Sequence, residues 1–178
     1  MYCQLLEQAV RRLRNEPADA YRPVNLDLGI SATIPRSYVR ADRQRMEVYK
    51  RLTACRTAAE LGVLREDIRD AFGPLPESVE TLLALAEIRV LAQPWCIRSL
   101  VLDGPDVIFA IEDLQQVQPL FADGPGSPRI PDAQTVHWRL SKRFLEPKTL
   151  LAVLRRQLSA RHEVRSTEKA RVATGQNL

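Results

Sequence analysis

The segment from Ala41 to Pro76, ADRQRMEVYKRLTACRTAAELGVLREDIRDAFGPLP, constrains the fold more than any other part of this chain. It reads as two amphipathic helices closed by a Phe-Gly stop and a proline turn. Asp42 is the expected N-cap of the first helix, with Met46, Tyr49 and Leu52 following at spacing three. Arg45 falls on the Tyr49/Leu52 side, where an apolar residue is expected, so its guanidinium must be paired inside the domain or reach the edge. Lys50 and Arg51 fall on the opposite, solvent side. Thr57 and Glu60 make a capping box that opens the second helix. Leu61, Leu64, Ile68 and Phe72 then line one face of it. At about 100° per residue Asp70 points nearly opposite that stripe, with Asp67 and Glu60 between. Gly73 ends the helix as a left-handed C-cap residue, and Pro74 prevents continuation.

D-R-Q-R-M-E-V-Y-K-R-L, followed by an acidic helix ending D-x-F-G-P-L-P, resembles the C-terminal domain of bacterial transcription-repair coupling factor (the TRCF/Mfd family). That family reads QR-L-x-x-YKRL and then E-L-x-D-R-F-G-x-L-P. The resemblance extends upstream through YCQLLEQAV and IPRSYV and downstream past Pro76, covering Tyr2 to Ala160. Two positions depart from the family. Asp67 stands where it usually has Glu, which keeps the charge on a shorter arm. Ala71 stands where it usually has Arg, which removes any ion pair that arginine makes.

The rest of the chain supplies a small sheet and its cover. Tyr2 to Arg14 reads as a helix with Leu5, Leu6, Ala9, Val10 and Leu13 on one face. Starting inside a helix with almost no cap points to an excised domain or the tail of a longer polypeptide. Val24–Leu28 and Ile30–Ile34 read as short strands with Gly29 as turn or bulge. Glu77–Ala92 is a long helix with Val79, Leu82, Leu83, Ala86 and Val90 inward and Glu80, Glu87 and Gln93 outward. Ile97–Leu102 and Val107–Ile111 form a hairpin across Asp103-Gly104-Pro105-Asp106. Asp113 caps a short helix through Phe121, Ala122–Asp132 reads as a Gly/Pro-rich loop, and Gln134–Leu140 is a last strand. Pro147 opens a final helix carrying Leu150, Leu151, Val153, Leu154 and Leu158. The expected fold class is α+β, a small mainly antiparallel sheet backed by several amphipathic helices. Residues 1–160 read as one domain and 161–178 as a basic tail without periodicity.

Function classes fall away on motif and charge. The seven glycines form no phosphate-binding loop, no GxGxxG and no GxSxG elbow. Cys3, Cys55 and Cys96 have no zinc spacing, and the two histidines, His137 in a strand and His162 in the tail, have no ligand partners nearby. The cysteines read as free thiols of a reducing, cytoplasmic protein. No cofactor, metal or catalytic residue is expected, and no apolar run reaches the roughly 20 residues of a membrane span. Trp95 and Trp138 read as core plugs. Of 26 Lys+Arg, nine fall in residues 141–178 against three acidic residues there, so the net charge of +4 belongs to the C-terminal end. Asp67 and Asp70 are too exposed for acid/base work, where both simply ionise.

Two functional readings follow. The resemblance implies a non-catalytic regulatory domain of an ATP-dependent DNA translocase that displaces stalled RNA polymerase and recruits excision repair. In that family the acidic positions of this helix contact arginines on the N-terminal module that binds UvrA. They thereby mask that module until DNA and RNA polymerase are engaged. Asp67 and Asp70 are then the charged centre of the contact and Glu60 its rim, with Arg45, Tyr49, Phe72 and Gly73 structural. The alternative is a basic nucleic-acid-binding module using Arg155, Arg156, Arg161, Arg165, Lys169 and Arg171. Against it stand the 6% aromatic content and the absence of any reader motif.

Overall fold

The computed structural model describes residues 24–122 and 124–159. The expected helix over Tyr2–Arg14 and the tail 161–178 lie outside the described residues. In chain order the elements are β1 (Asn25–Asp27), α1 (Asp42–Ala54), α2 (Ala58–Phe72), α3 (Glu77–Ala92), β2 (Ile97–Asp103), β3 (Asp106–Ile111), α4 (Leu114–Val117), β4 (Ser127–Asp132) and β5 (Thr135–Arg139). A last helix, α5, runs over 147–159. The fold is α+β, as expected.

The five strands form one sheet in the order β1-β2-β3-β5-β4. Three of its four pairings are antiparallel, and β1 runs parallel to β2 with Leu26 opposite Leu100. A parallel pair needs a long crossover. Here the crossover is the whole helical layer α1–α3. Alternation puts Leu100, Val107, Phe109, Ile111, Val136 and Trp138 on the inner face, each at most 1% exposed. Phe109, Phe121 and Trp138 meet edge to face, with ring centroids 5.1–6.2 Å apart. Trp95 is also buried, and its indole N–H donates to the Leu158 carbonyl at 2.9 Å. Both tryptophans are thus core plugs, and His137 is a half-buried strand residue.

Two buried clusters divide the structure. One lies between the sheet, α5 and one side of α3, the other between α1, α2 and the opposite side of α3. Helix α3 sends Val79, Leu83, Ala86 and Val90 into the helical cluster and Ile88, Leu91 and Ala92 into the sheet cluster. A helix apolar on two sides is a buried helix. Reading it as amphipathic therefore understated its role. Glu87 and Gln93, expected outside, are half-buried, and Glu87 pairs with Arg155 at 2.9 Å.

Other expectations need correction. Residues 30–34 form no strand. The Ile34 N–H donates instead to the Tyr49 hydroxyl at 2.9 Å, a side-chain substitute for a ladder bond. The Gly/Pro-rich segment is not all loop, because Ser127–Asp132 pairs with β5 as an edge strand. Pro128 and Pro131 are tolerated there since an edge strand need not donate on its open side. Asp42 is the first helical residue rather than the N-cap, which is Ala41. Met46 is 56% exposed, and Val48 takes the core place beside Leu52.

Gly126 marks a close approach in the sheet. A Cβ there would lie 2.5 Å from Trp138 Nε1 and 2.6 Å from the Arg139 carbonyl oxygen. Gly126→Ala is expected to cost about 1–3 kcal/mol through overpacking, measured by urea unfolding. Across the same sheet, Arg139 donates to both carboxylate oxygens of Asp106, at 2.8 and 2.9 Å. These hydrogen bonds hold the Asp106 carboxyl below its ordinary value. A carboxylate depressed on folding adds stability above the unfolded value of about 4 and loses it as pH falls through the folded value. Asp106→Asn is expected to lower stability at neutral pH and flatten the acid limb of a stability-versus-pH curve.

Candidate interaction surface on the second helix

Helix α2 is set by its ends and its stripe. The Thr57 hydroxyl accepts from the Glu60 N–H at 3.2 Å, and Glu60 Oε2 accepts from the Arg56 N–H at 2.7 Å. The capping box therefore forms with a shift of one residue: Glu60 reaches the N–H before the cap rather than that of Thr57. Leu61, Leu64 and Ile68 are buried, and Phe72 is half-buried. Gly73 takes φ +90° and ψ −165°, a region essentially reserved for glycine but more extended than a left-handed cap. Its N–H still closes the helix on the Arg69 carbonyl at 2.8 Å.

The polar residues around this hairpin hold backbone rather than face a substrate. Arg45, 15% exposed at its side chain, donates to the Val39 carbonyl at 3.1 Å and pairs with Asp42. Tyr49 receives the Ile34 N–H. Phe72 meets Tyr38 edge to face at 6.0 Å, and the Tyr38 hydroxyl donates to the Gly73 carbonyl at 2.8 Å. Arg89, from the last turn of α3, donates to the Leu52 carbonyl at 2.8 Å, where a cation suits the C-terminal end of α1. Tyr38 and Arg89 escaped the sequence reading because their partners are carbonyls 35 and 37 residues away.

The three acidic candidates differ in how far they are committed. Glu60 is engaged as a cap. Asp67, 47% exposed, pairs with Arg51 of α1, which is exposed as its spacing suggested and reaches across between the helices. Asp70 is 77% exposed and lies 3.9 Å from Arg69 Nε, while Arg69 also pairs with Glu66. Asp67 and Asp70 thus share one exposed face, and Asp70 is the less committed of the two. Ala71 is exposed on the same turn.

Beside this face, Arg51, Ala54, Cys55, Ala59, Glu60, Val63 and Leu64 line an open groove of about 470 Å³. Burial, with the Glu60 carboxylate adding to it, pushes the Cys55 thiol above its ordinary value. A thiol raised in this way stays protonated at neutral pH. Among the described residues no three of His, Cys, Asp and Glu are placed to hold a metal ion. No described helix is long and apolar enough to cross a membrane. On the basic side, Arg155 is paired with Glu87 and Arg156 is exposed, while Arg161, Arg165, Lys169 and Arg171 lie outside the described residues.

The TRCF domain family matches residues 28–120, which hold the helical hairpin, α3 and the strands β2 and β3. The chain belongs to the TRCF domain family. It is 32% identical over 99 residues to the transcription-repair-coupling factor of Haemophilus influenzae, covering 53% of this chain and 9% of that protein. It is 30% identical over 94 residues to that of Bacillus subtilis, covering 52% and 8%. With the Mycobacterium tuberculosis factor it shares 35% over 82 residues, covering 46% and 6%. The matched region thus spans less than a tenth of the length of these curated relatives. A crystal structure of the C-terminal domain of transcription-repair coupling factor superposes with a TM-score of 0.63 at 17% identity, covering 76% of this chain and 91% of that one. The TRCF domain described here therefore has the fold of that C-terminal domain.

The cap of α2 is testable by itself. Thr57→Ala is expected to remove about 1 kcal/mol of stability, read as a lower thermal or urea midpoint, with the folded circular dichroism spectrum unchanged.

Proposed function

We propose that this TRCF domain is a non-catalytic regulatory domain of a transcription-repair coupling DNA translocase. It docks on the N-terminal UvrA-binding module of the same protein and masks it. The observation that carries this reading is the pair Asp67 and Asp70 on one exposed face of a helix whose opposite face is locked into a core. Ionised carboxylates on a rigid helix can receive arginines in charge-assisted, bidentate geometry. Tethering within one polypeptide supplies an effective concentration of about millimolar, so a weak contact can hold closed and still release. In this reading the regulatory unit comprises residues 1–160 with 161–178 as its basic tail. RNA polymerase, UvrA and DNA are engaged through the full-length cytoplasmic protein, whose motor lies elsewhere in the polypeptide. Ala71 leaves the contact without the arginine usual at that position.

The test is binding of the 178-residue chain in trans to the separately produced N-terminal module, by calorimetry at low salt. The wild type is expected to bind, and Asp67→Arg combined with Asp70→Arg to weaken binding by at least about tenfold while circular dichroism stays native. Binding that ignores the double reversal would move the contact off this face. Absence of binding at high concentration would count against masking.

A further inference from the structure

We propose that the outer face of the sheet is a self-association surface, on which two copies of this chain pack face to face about a two-fold axis running along the central strand β3. The occupant is a second copy because the face carries opposite charges in an order that matches itself. This surface is separate from the acidic face of α2 and does not depend on it.

The strand order puts β3 in the middle of the five strands. Alternation sends Leu100, Phe109 and Trp138 inward and leaves their neighbours in sequence on the opposite side. The registers line those outer residues up in rows. One row reads Asp27, Val101, Ile108, His137 and Arg129 from β1 to β4. On one side of it lie Asp103, Asp106, Arg139 and Ser127, from β2 to β4. On the other lie Asn25, Ser99, Ala110 and Thr135, all short side chains. Val101, Ile108 and Ala110 belong to neither buried cluster, so no described helix is packed over them.

Charge changes sign across this face. Asp27 and Asp103 stand on the β1–β2 side, and His137, Arg139 and Arg129 on the β5–β4 side. Asp27, Asp103 and Arg129 are exposed and make no ion pair among the described residues. Arg139 uses Nε and Nη2 on Asp106 and keeps Nη1 for a further carboxylate. A uniformly acidic or basic partner, nucleic acid included, is attracted by one half of the face and repelled by the other. A half-turn about β3 gives each half its complement. It lays β1 over β4 of the second copy and β2 over its β5. Asp27 then faces Arg129, and Asp103 faces Arg139. On the axis Ile108 meets its own copy, and so does Ala110, whose small side chain lets the sheets approach to the usual spacing of about 10 Å. Asp106 also falls on the axis, where Arg139 already holds both its oxygens. Each copy contributes the same residues, as a two-fold interface requires.

Area sets the strength. Five strands about 4.8 Å apart and about five residues long give a footprint of about 400 Å² per copy, half that of a standard stable interface. The dimer therefore belongs to the weak, transient class, populated at about 1 mM and dissociated at about 10 μM.

The experiment is sedimentation equilibrium of the 178-residue chain between about 10 μM and about 1 mM, with three variants and one mixture. The wild type is expected to move from the mass of one chain toward twice that mass. Ile108→Lys, at the centre, is expected to weaken association by at least about tenfold. Asp27→Arg and Arg129→Asp are each expected to do the same, because two like-charge contacts replace two attractive ones. An equimolar mixture of those two variants is expected to dimerise as the wild type does, since both contacts then pair opposite charges. Asp27 and Arg129 are exposed, so native circular dichroism is expected for both. A wild type that stays monomeric at about 1 mM overturns the proposal and leaves the face to another partner. Dimerisation that ignores Ile108→Lys and both reversals puts the second copy on another surface and also overturns it. If the reversals weaken association but their mixture does not restore it, the two-fold axis along β3 is overturned.

Discussion

Everything in this domain hangs on α3 having apolar residues on two sides. Val79, Leu83, Ala86 and Val90 close the helical cluster, while Ile88, Leu91 and Ala92 close the sheet cluster. Neither cluster is complete without it: the α1–α2 hairpin alone would leave its leucine stripe in water, and the sheet would leave its inner face half covered. One helix serving both joins them mechanically, because interiors are close-packed and transmit displacement. The few polar groups on α3 are consistent with this position. Glu87 is 22% exposed and meets Arg155 of the last helix, and Arg89 reaches the end of α1.

That constraint sets the stage for α2. Its buried stripe rests on α3, its start is held by Thr57 and Glu60, and its end is held by Gly73 and the Tyr38 hydroxyl. The loop before α1 contributes through polar side chains that satisfy irregular backbone, Tyr49 for Ile34 and Arg45 for Val39. A buried loop cannot leave such groups unpaired without a penalty comparable to a lost hydrogen bond. The outcome is a rigid helix whose outer face is free to carry charge. Rigid placement matters for recognition, since ordering side chains and segments on binding subtracts from affinity.

The outer face is not an idle row of carboxylates. Arg51–Asp67, Arg69–Glu66 and Arg65–Glu80 show that much of its charge is balanced inside the domain. Exposed pairs of this kind contribute little to stability, about 0–1 kcal/mol each. They have a larger bearing on recognition, because any partner must compete with them. The least committed carboxylate is Asp70, 3.9 Å from Arg69 Nε and next to Ala71, and the unfilled apolar space lies between Ala54 and Ala59.

The helices were legible in the sequence because their signals are local. A leucine stripe at spacings three and four, a Thr-x-x-Glu box and a Phe-Gly stop all act within one or two turns, and α2 and α3 appear where those signals put them. The hairpin of β2 and β3 was legible for the same reason, through Asp103 to Asp106. What local signals could not carry was partnership. β1 pairs in parallel with a strand some 70 positions later, β4 becomes a strand only because β5 accepts it, and in the irregular segment 30–34 the Ile34 N–H goes to the Tyr49 hydroxyl. The same limit governed the surface. Spacing identified Asp67 and Asp70 as outward carboxylates and put Arg51 on the solvent side, where it is exposed, but it could not name a partner for it. Only the packing of α1 against α2 brought its guanidinium to Asp67, because an ion pair across two helices depends on their crossing and not on either helix alone.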